Sequence, residues 1–395
     1  MPGAGSIVIV IVGAGLAGLR TAEELRGRDY AGQITLIGAE ARLPYDRPPL
    51  SKKLMTGALD DTTLRPDLAA LGVQARLCER AVELADGVVT TDHGEYPFDV
   101  LVLATGASPV RLPGAGGQHV LRTLDDALEL RKLLIPGTAL AIIGAGWIGA
   151  ELATAAAQLG CRVTVVEAGS APLAAGLGAE VGMLTVPWYA AAGVDLRLGL
   201  GVDSVQPGGL ALAGGAWLPA DVVVTAVGVR PEVSWLTTSG ISLDNGVAVD
   251  GHLRTSLPRV LAVGDCAAFL SARYGRRLRF EHWDVALHAP EVAAATALGG
   301  TALYDPVPYF WSEQFGRMLQ YVGHHTPADR LILRGDPAAE RWAAAWLSGD
   351  RLAALLAVGI PRDMLQARRL MEAGSAVDPA RLADPRIPVR DCALA

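Results

Sequence analysis

Two short glycine-rich segments, each set between an apolar run and an alanine-rich stretch, restrict this chain more than any other feature. Gly13-Ala14-Gly15-Leu16-Ala17-Gly18 follows the apolar run 7–12, and Gly144-Ala145-Gly146-Trp147-Ile148-Gly149 follows the run 139–143. An uninterrupted β-branched run that stops at glycine reads as a buried strand and a tight turn, and the small residues behind it let a helix start close by. A helix placed this way presents its first backbone N–H groups to the turn, where a pyrophosphate can be held. Each segment is followed by a second such run ending near an acid, 34–37 before Glu40 and 163–166 before Glu167. The acids lie 22 and 18 residues beyond the third glycine, near the spacing at which a carboxylate reaches an adenosine ribose. Two complete β-α-β patterns predict two dinucleotides, and therefore a hydride passed between them.

The two segments open parallel series of events, as an internal duplication would. After the first comes the apolar strand 99–103 ending in Ala104-Thr105-Gly106; after the second comes 221–225 ending in Ala226-Val227-Gly228. Neither strand has a polar face, as expected in a parallel sheet covered on both sides, and each stops at a glycine where backbone must pass close to something. A third strand of this kind, 260–263, runs into Gly264-Asp265 beyond the second copy, so the first domain is predicted to resume there with the second inserted into it. Beyond residue 307 the pattern changes to short antiparallel strands, at 307–312, 319–323 and 341–347, followed by a helix over 363–373. The predicted fold class is α/β: two Rossmann-like dinucleotide-binding domains plus a small α+β C-terminal domain. The first domain covers 1–110 and 240–306, the second 111–239 and the third 307–395.

Composition narrows the function further. No apolar run approaches the roughly 18 to 20 residues needed to cross a bilayer, and the first residues lack a basic n-region, so a cytoplasmic protein without membrane attachment is expected. A net charge of −7 argues against a nucleic-acid partner. The four cysteines, Cys78, Cys161, Cys266 and Cys392, form no CxxC pair, so neither a disulfide framework nor a zinc ribbon is indicated. His282 and His288 are six apart and His324 and His325 are adjacent, spacings that fit no helical metal site. Trp188, Trp217 and Trp235 read as core.

The segment 43–52, with three prolines within six residues, holds the chain stiff and extended, and carries Arg47 and Lys52. It reads either as a rigid surface loop or as charge brought beside the first dinucleotide. Together with the two glycine segments, Gly264-Asp265, Trp283 and 310–314, it resembles the oxygenase-coupled NADH:ferredoxin reductases, the family that includes putidaredoxin reductase and rubredoxin reductase. The resemblance covers nearly the whole chain and implies a glutathione-reductase-like arrangement, with FAD on the first fingerprint and NADH on the second. It places Asp265 on the flavin ribityl chain, Glu40 on the adenosine ribose of FAD, and Arg47 and Lys52 along the flavin. It pairs Lys52 with Glu151, although an acid there also reads as a first-turn complement to the helix dipole. Trp147 takes the place of an aromatic ring that nicotinamide displaces, and Trp311 is an edge for electron exit; for any tryptophan, Trp283 above all, core packing is the competing reading. Glu167 accepts a free 2′-hydroxyl and repels a 2′-phosphate, and no arginine follows it, so NADH is favoured over NADPH.

The implied activity is hydride transfer from NADH to FAD, then single electrons to a small iron–sulfur ferredoxin serving a mono- or dioxygenase. The catalytic residues are Lys52, Glu151 and Trp311; the cofactor-binding set adds Gly13, Gly15, Gly18, Glu40, Arg47, Ala104, Thr105, Gly106, Gly264, Asp265, Trp283, Gly144, Gly146, Trp147, Ile148, Gly149, Glu167 and Gly228, and no metal ligand is assigned. The chain departs from the family at His288-Ala289-Pro290, where a Gln-Gly pair is common. That departure keeps a second reading open, an NADH-dependent flavoenzyme acting directly on a small molecule or O2. The nearby Arg273, Arg276, Arg277 and Arg279 read either as a docking patch for an acidic ferredoxin or as a solvated loop. A disulfide reductase would need a redox cysteine in 44–52, and there is none.

Overall fold

The computed structural model describes residues 7–394. The chain forms two compact units. One takes in the chain up to Asp46, Thr62–Ser108 and Val229–Pro306; the other takes in Arg47–Asp61, Pro109–Gly228 and the chain from Val307 onward.

The first unit is built on a five-stranded parallel sheet in the order Val260–Ala262, Val100–Leu103, Ile9–Val12, Ile34–Gly38, Val73–Leu77. The four strands from Val260–Ala262 to Ile34–Gly38 carry no exposed face because both faces are covered, whereas the edge strand Val73–Leu77 alternates and turns Gln74 and Arg76 outward; Ile9, Ile11, Ile34, Leu36, Leu101 and Val102 are fully buried. Helix Leu16–Gly27 packs on helix Trp283–Ala297, and Ala22, Ala293 and Ala294 are fully buried small residues that allow two helices to lie close. Pro290 sits inside the second of these helices, so His288-Ala289-Pro290 is mid-helix, and His288 lies 3.5 Å from Asp284 one turn earlier. A three-stranded antiparallel meander, Ala81–Ala85, Val88–Thr91 and Glu95–Pro97, is inserted before the glycine-ended strand.

The second unit repeats that plan. Its parallel sheet runs Asp195–Leu198, Arg162–Glu167, Ala139–Ile143, Val222–Thr225, and a meander of Val202–Gln206, Gly209–Leu212 and Trp217–Pro219 occupies the same place in the order of elements. The duplication read from the glycine segments therefore extends to the meanders. Trp188 is buried and Trp235 packs against the core, but Trp217 is a correction: it is 49% exposed. It lies on a short strand at the meander's edge, whose alternation turns Leu218 inward and its neighbours outward.

The C-terminal segment of this unit is a five-stranded antiparallel sheet, ordered Tyr309–Gln314, Arg317–Gly323, Arg351–Val358, Trp342–Ser348, Arg330–Arg334. The sequence pattern indicated three of these strands. The helix that follows, Pro361–Ala373, starts two residues earlier than expected, with proline near its N-terminus where the missing N–H costs nothing. Arg334, 3% exposed, fixes the chain's last turns. Its guanidinium pairs with Asp363 at 2.7 Å and donates to the backbone oxygens of Leu382, Asp384, Pro385 and Ile387.

Candidate functional site

In the first unit the three glycines of the first fingerprint divide by task. Gly13 takes a left-handed φ of +117°, and a side chain there would overlap the carbonyl of Ala104, whose own N–H is bonded to Val12 O at 2.7 Å. A side chain at Gly18 would overlap Gly13 O. Both glycines are thus required by the packing of strand, turn and helix. Gly15 is different: no atom lies within 4 Å of the place its side chain would occupy. The second unit repeats this division. Gly144 has φ +99° and would place a Cβ 2.5 Å from Ala226 O, Gly149 would overlap Gly144 O, and Gly146 again faces open space. Gly15 and Gly146 are also the N-caps of helices Leu16–Gly27 and Trp147–Gln158, and neither helix has a side-chain cap. Two uncapped helix ends, each with an unobstructed glycine in front, form two anion cradles that fit a dinucleotide pyrophosphate.

The acids stand beside the cradles in different ways. Glu167 accepts the Ala145 N–H on one oxygen and the Gly169 N–H on the other, both at 2.7 Å, so it ties its strand end to the glycine turn. Glu40 accepts the Tyr45 hydroxyl at 2.6 Å. Thr105 donates to Glu232 O at 2.7 Å, and the Gly106 carbonyl accepts the Glu232 N–H at 2.9 Å. Gly264 and Asp265 form a short 3-10 turn after Val260–Ala262; a Cβ on Gly264 would come within 3.1 Å of Ala17, which puts Asp265's turn on the first fingerprint helix. Arg279 donates to Asp265 O at 3.1 Å. Trp283, at the start of its helix, donates from Nε1 to Asp46 at 2.6 Å. Burial pushes the Asp46 carboxyl above its ordinary range, and that hydrogen bond only partly opposes the shift.

Lys52 and Glu151 meet within the second unit at 2.7 Å, with side chains 13% and 3% exposed. Glu151 is on helix Trp147–Gln158 and points inward, whereas a dipole-complementing surface acid would face water. Ser51 and Ser312 also donate to Glu151. Those two serines, and Gln314 behind them, were missed by the sequence reading. The available signal was alternation: in Tyr309–Gln314 the inward positions carry Ser312 and Gln314, both fully buried polar residues on a strand.

The aromatic residues are arranged around this network. Trp147 meets Phe310 edge-on at 4.5 Å, and its indole nitrogen lies 3.1 Å from where a Cβ on Gly176 would sit. Trp311 stacks with Tyr309 at 6.2 Å. Ile148 is 42% exposed beside Trp147. Arg47 donates to Arg122 O at 2.6 Å, and Gly228 O accepts the Val110 N–H at 3.0 Å. Within the basic cluster, Arg273 and Arg276 are exposed while Arg277 and Arg279 reach inward to other groups. Arg277 donates to Val249 O and Ala268 O, and Arg279 pairs with Glu281 at 2.7 Å with 9% of its side chain exposed. Cys78, Cys161, Cys266 and Cys392 are free thiols, and burial raises the thiols of Cys161, Cys266 and Cys392 above their usual range. Among the described residues no helix is long and apolar enough to cross a membrane.

A family model described as pyridine nucleotide-disulphide oxidoreductase matches residues 8–289, and one described as reductase C-terminal matches 309–393. The chain is 39% identical to the ferredoxin–NAD(+) reductase component of the anthranilate 1,2-dioxygenase system of Burkholderia cepacia, over 96% of this chain and 97% of that one. It is 32% identical to putidaredoxin reductase of Pseudomonas putida, over 97% and 96%. Among solved structures, Fdr9 shares 49% identity with a TM-score of 0.94, covering 97% of this chain and 99% of that chain. The covalent putidaredoxin reductase–putidaredoxin complex shares 32% identity with a TM-score of 0.93 and 98% of both chains covered. The chain belongs to the pyridine nucleotide-disulphide oxidoreductases, in the ferredoxin–NAD(P)+ reductase branch that serves oxygenase systems.

Proposed function

We propose that this protein is an FAD-dependent NADH:ferredoxin reductase that supplies electrons, through a small iron–sulfur ferredoxin, to a mono- or dioxygenase in the cytoplasm. The observation that carries the reading is the pair of glycine cradles, one in each unit, each with its middle glycine facing open space and its helix uncapped. A chain with one such cradle binds one nucleotide; a chain with two can pass a hydride between two. The relatives named as reductase components of dioxygenase systems supply the partner class.

FAD, when bound, would supply the redox chemistry, a two-electron hydride acceptor that can release electrons one at a time. The chain's own residues do the rest. The first cradle, with Glu40 on the ribose and Asp265 on the ribityl chain, holds FAD; Ala104, Thr105, Gly106 and Trp283 shape that site. The second cradle holds NADH, with Glu167 reading the free 2′-hydroxyl. Lys52 provides a positive charge that favours electron density arriving on the flavin ring, and Glu151 keeps that buried cation matched. Trp147 would be the ring that nicotinamide displaces, and Trp311 would mark the edge for electron exit.

Stopped-flow mixing with NADH and NADPH, followed by cytochrome c reduction with and without purified ferredoxins, tests the whole reading. Fast bleaching of the flavin by NADH, and cytochrome c reduction that requires a ferredoxin, are the expected results. Rapid turnover with O2 or a small quinone and no need of a carrier would replace the ferredoxin assignment with direct action on a small molecule.

A further inference from the structure

The Lys52–Glu151 pair is enclosed by polar groups that hydride transfer leaves without a task. Three segments converge on it: the turn Pro48–Ser51, helix Trp147–Gln158 and strand Tyr309–Gln314. Glu151 Oε1 takes the Ser312 hydroxyl at 2.6 Å, and Oε2 takes the Ser51 hydroxyl at 2.5 Å and the Lys52 ammonium at 2.7 Å. The direction of these bonds is forced. A carboxylate beside an ammonium only accepts, so both serines donate to it. Ser312, its single proton committed, accepts from Gln314 Nε2 at 2.9 Å, which also fixes which way that amide points. Lys52 in turn donates to Pro48 O at 3.2 Å and Ser51 Oγ at 3.3 Å, so each of its three protons has an acceptor.

A buried carboxylate matched by one cation still has lone pairs to satisfy, and whatever is left unsatisfied draws the cation closer. Neutral hydroxyl donors meet that demand without adding charge. They keep the second oxygen of Glu151 occupied and the ammonium in one place. We propose that Ser51 and Ser312, the latter oriented by Gln314, are positioning residues that set where the Lys52 charge sits and how much of it reaches the flavin. The proposal rests on the function given above.

The test is the two-electron midpoint potential of the bound flavin in Ser312→Ala, Ser51→Ala and Ser312→Thr, with the affinity for NAD+ measured beside it. Removing the Ser312 hydroxyl leaves Oε1 without a donor, so Glu151 draws the Lys52 ammonium out of its set position. The reduced flavin is then disfavoured about tenfold, which for a two-electron couple is about 30 mV more negative. NAD+ affinity stays within twofold, and Ser312→Thr, which keeps the hydroxyl, recovers most of the shift. In a Lys52→Met background the same Ser312→Ala change leaves the potential where it was, because the serine acts through the lysine. Should Ser312→Ala fail to fold, Ser51→Ala reports on the other oxygen and is expected to shift the potential in the same direction. A potential unmoved in the alanine variants that retain flavin, or a threonine variant that shifts as far as alanine, overturns the proposal. A wild-type protein that takes up no flavin would refute the proposed function itself, a result visible before any serine is changed.

Discussion

Gly146 and Gly149 are three residues apart in one turn of chain, yet replacing each by alanine should have opposite consequences. A methyl group at 149 would overlap the Gly144 carbonyl oxygen, so helix Trp147–Gln158 must move away from the strand end that it abuts. Overpacking of this kind costs about 1–3 kcal/mol, and a unit of this size loses about 2–4 °C of Tm for each kcal/mol. A fall of about 4–8 °C is expected for a cost of about 2 kcal/mol. A methyl at 146 meets nothing within 4 Å, and the backbone there, at φ −74° and ψ −170°, suits alanine. Its stability cost is only that of a poorer N-cap, about 0.5 kcal/mol. On the proposed function, what the methyl occupies is the space that a pyrophosphate would enter. Losing a single hydrogen bond to that charged group is worth about 1.5–3 kcal/mol, which is about tenfold or more in Kd for NADH. Differential scanning fluorimetry of the flavin-loaded variants, together with NADH titration by isothermal calorimetry, separates the two effects, and flavin content reports on the untouched first cradle. The reasoning fails if Gly146→Ala melts as early as Gly149→Ala, or if it binds NADH as tightly as the parent.

Three further outcomes are expected. Arg334→Met leaves Asp363 buried without its cation and takes a donor away from four carbonyls; a loss of about 3–5 kcal/mol should appear in urea denaturation as early release of the C-terminal turns to protease, and an unchanged midpoint would contradict the clamp. His325 stacks on Trp346 at 4.1 Å and shares a 2.6 Å hydrogen bond with Tyr321; burial first, then the neighbouring His324, pull its pKa down to about 4, while Asp329 opposes them. Because the folded state binds that proton more weakly than the unfolded state, stability is full above about pH 6.5 and falls as the pH drops toward about 4. His325→Phe should flatten the dependence of Tm on pH across that window by an amount on the order of 1 kcal/mol after allowance for partial solvation, and an unaltered slope would remove His325 from the account. Glu167→Ala combined with Ala168→Arg should move the kcat/KM ratio toward NADPH by about tenfold, at some cost in stability because Ala145 and Gly169 lose their acceptor. A ratio that stays put means that Glu167 does not read the ribose.

The two glycine turns were legible in the sequence because every steric requirement they impose is local. A strand, a turn and a helix start lie within about a dozen residues, and the clash that demands Gly18 or Gly149 is with a carbonyl only five residues earlier. The same locality makes the duplicated order of elements readable from apolar runs. The pairing of Lys52 with Glu151 came from resemblance to a family and not from local pattern, since the two residues are 99 apart. The hydroxyl groups around the pair escaped altogether. Ser51 and Ser312 are ordinary polar residues until segments 100 and 161 residues distant from Glu151 are packed together. Trp217 failed the same way in the opposite sense, its composition arguing for the core and its place on an edge strand turning it to solvent. What this sequence determined by itself is the pair of strand–glycine turn–helix units, because backbone sterics act over a few residues. Which polar side chains are buried together, and which aromatic ones are left outside, was decided only by the tertiary structure, because whether burying a polar group is tolerable depends on a partner that can lie anywhere along the chain.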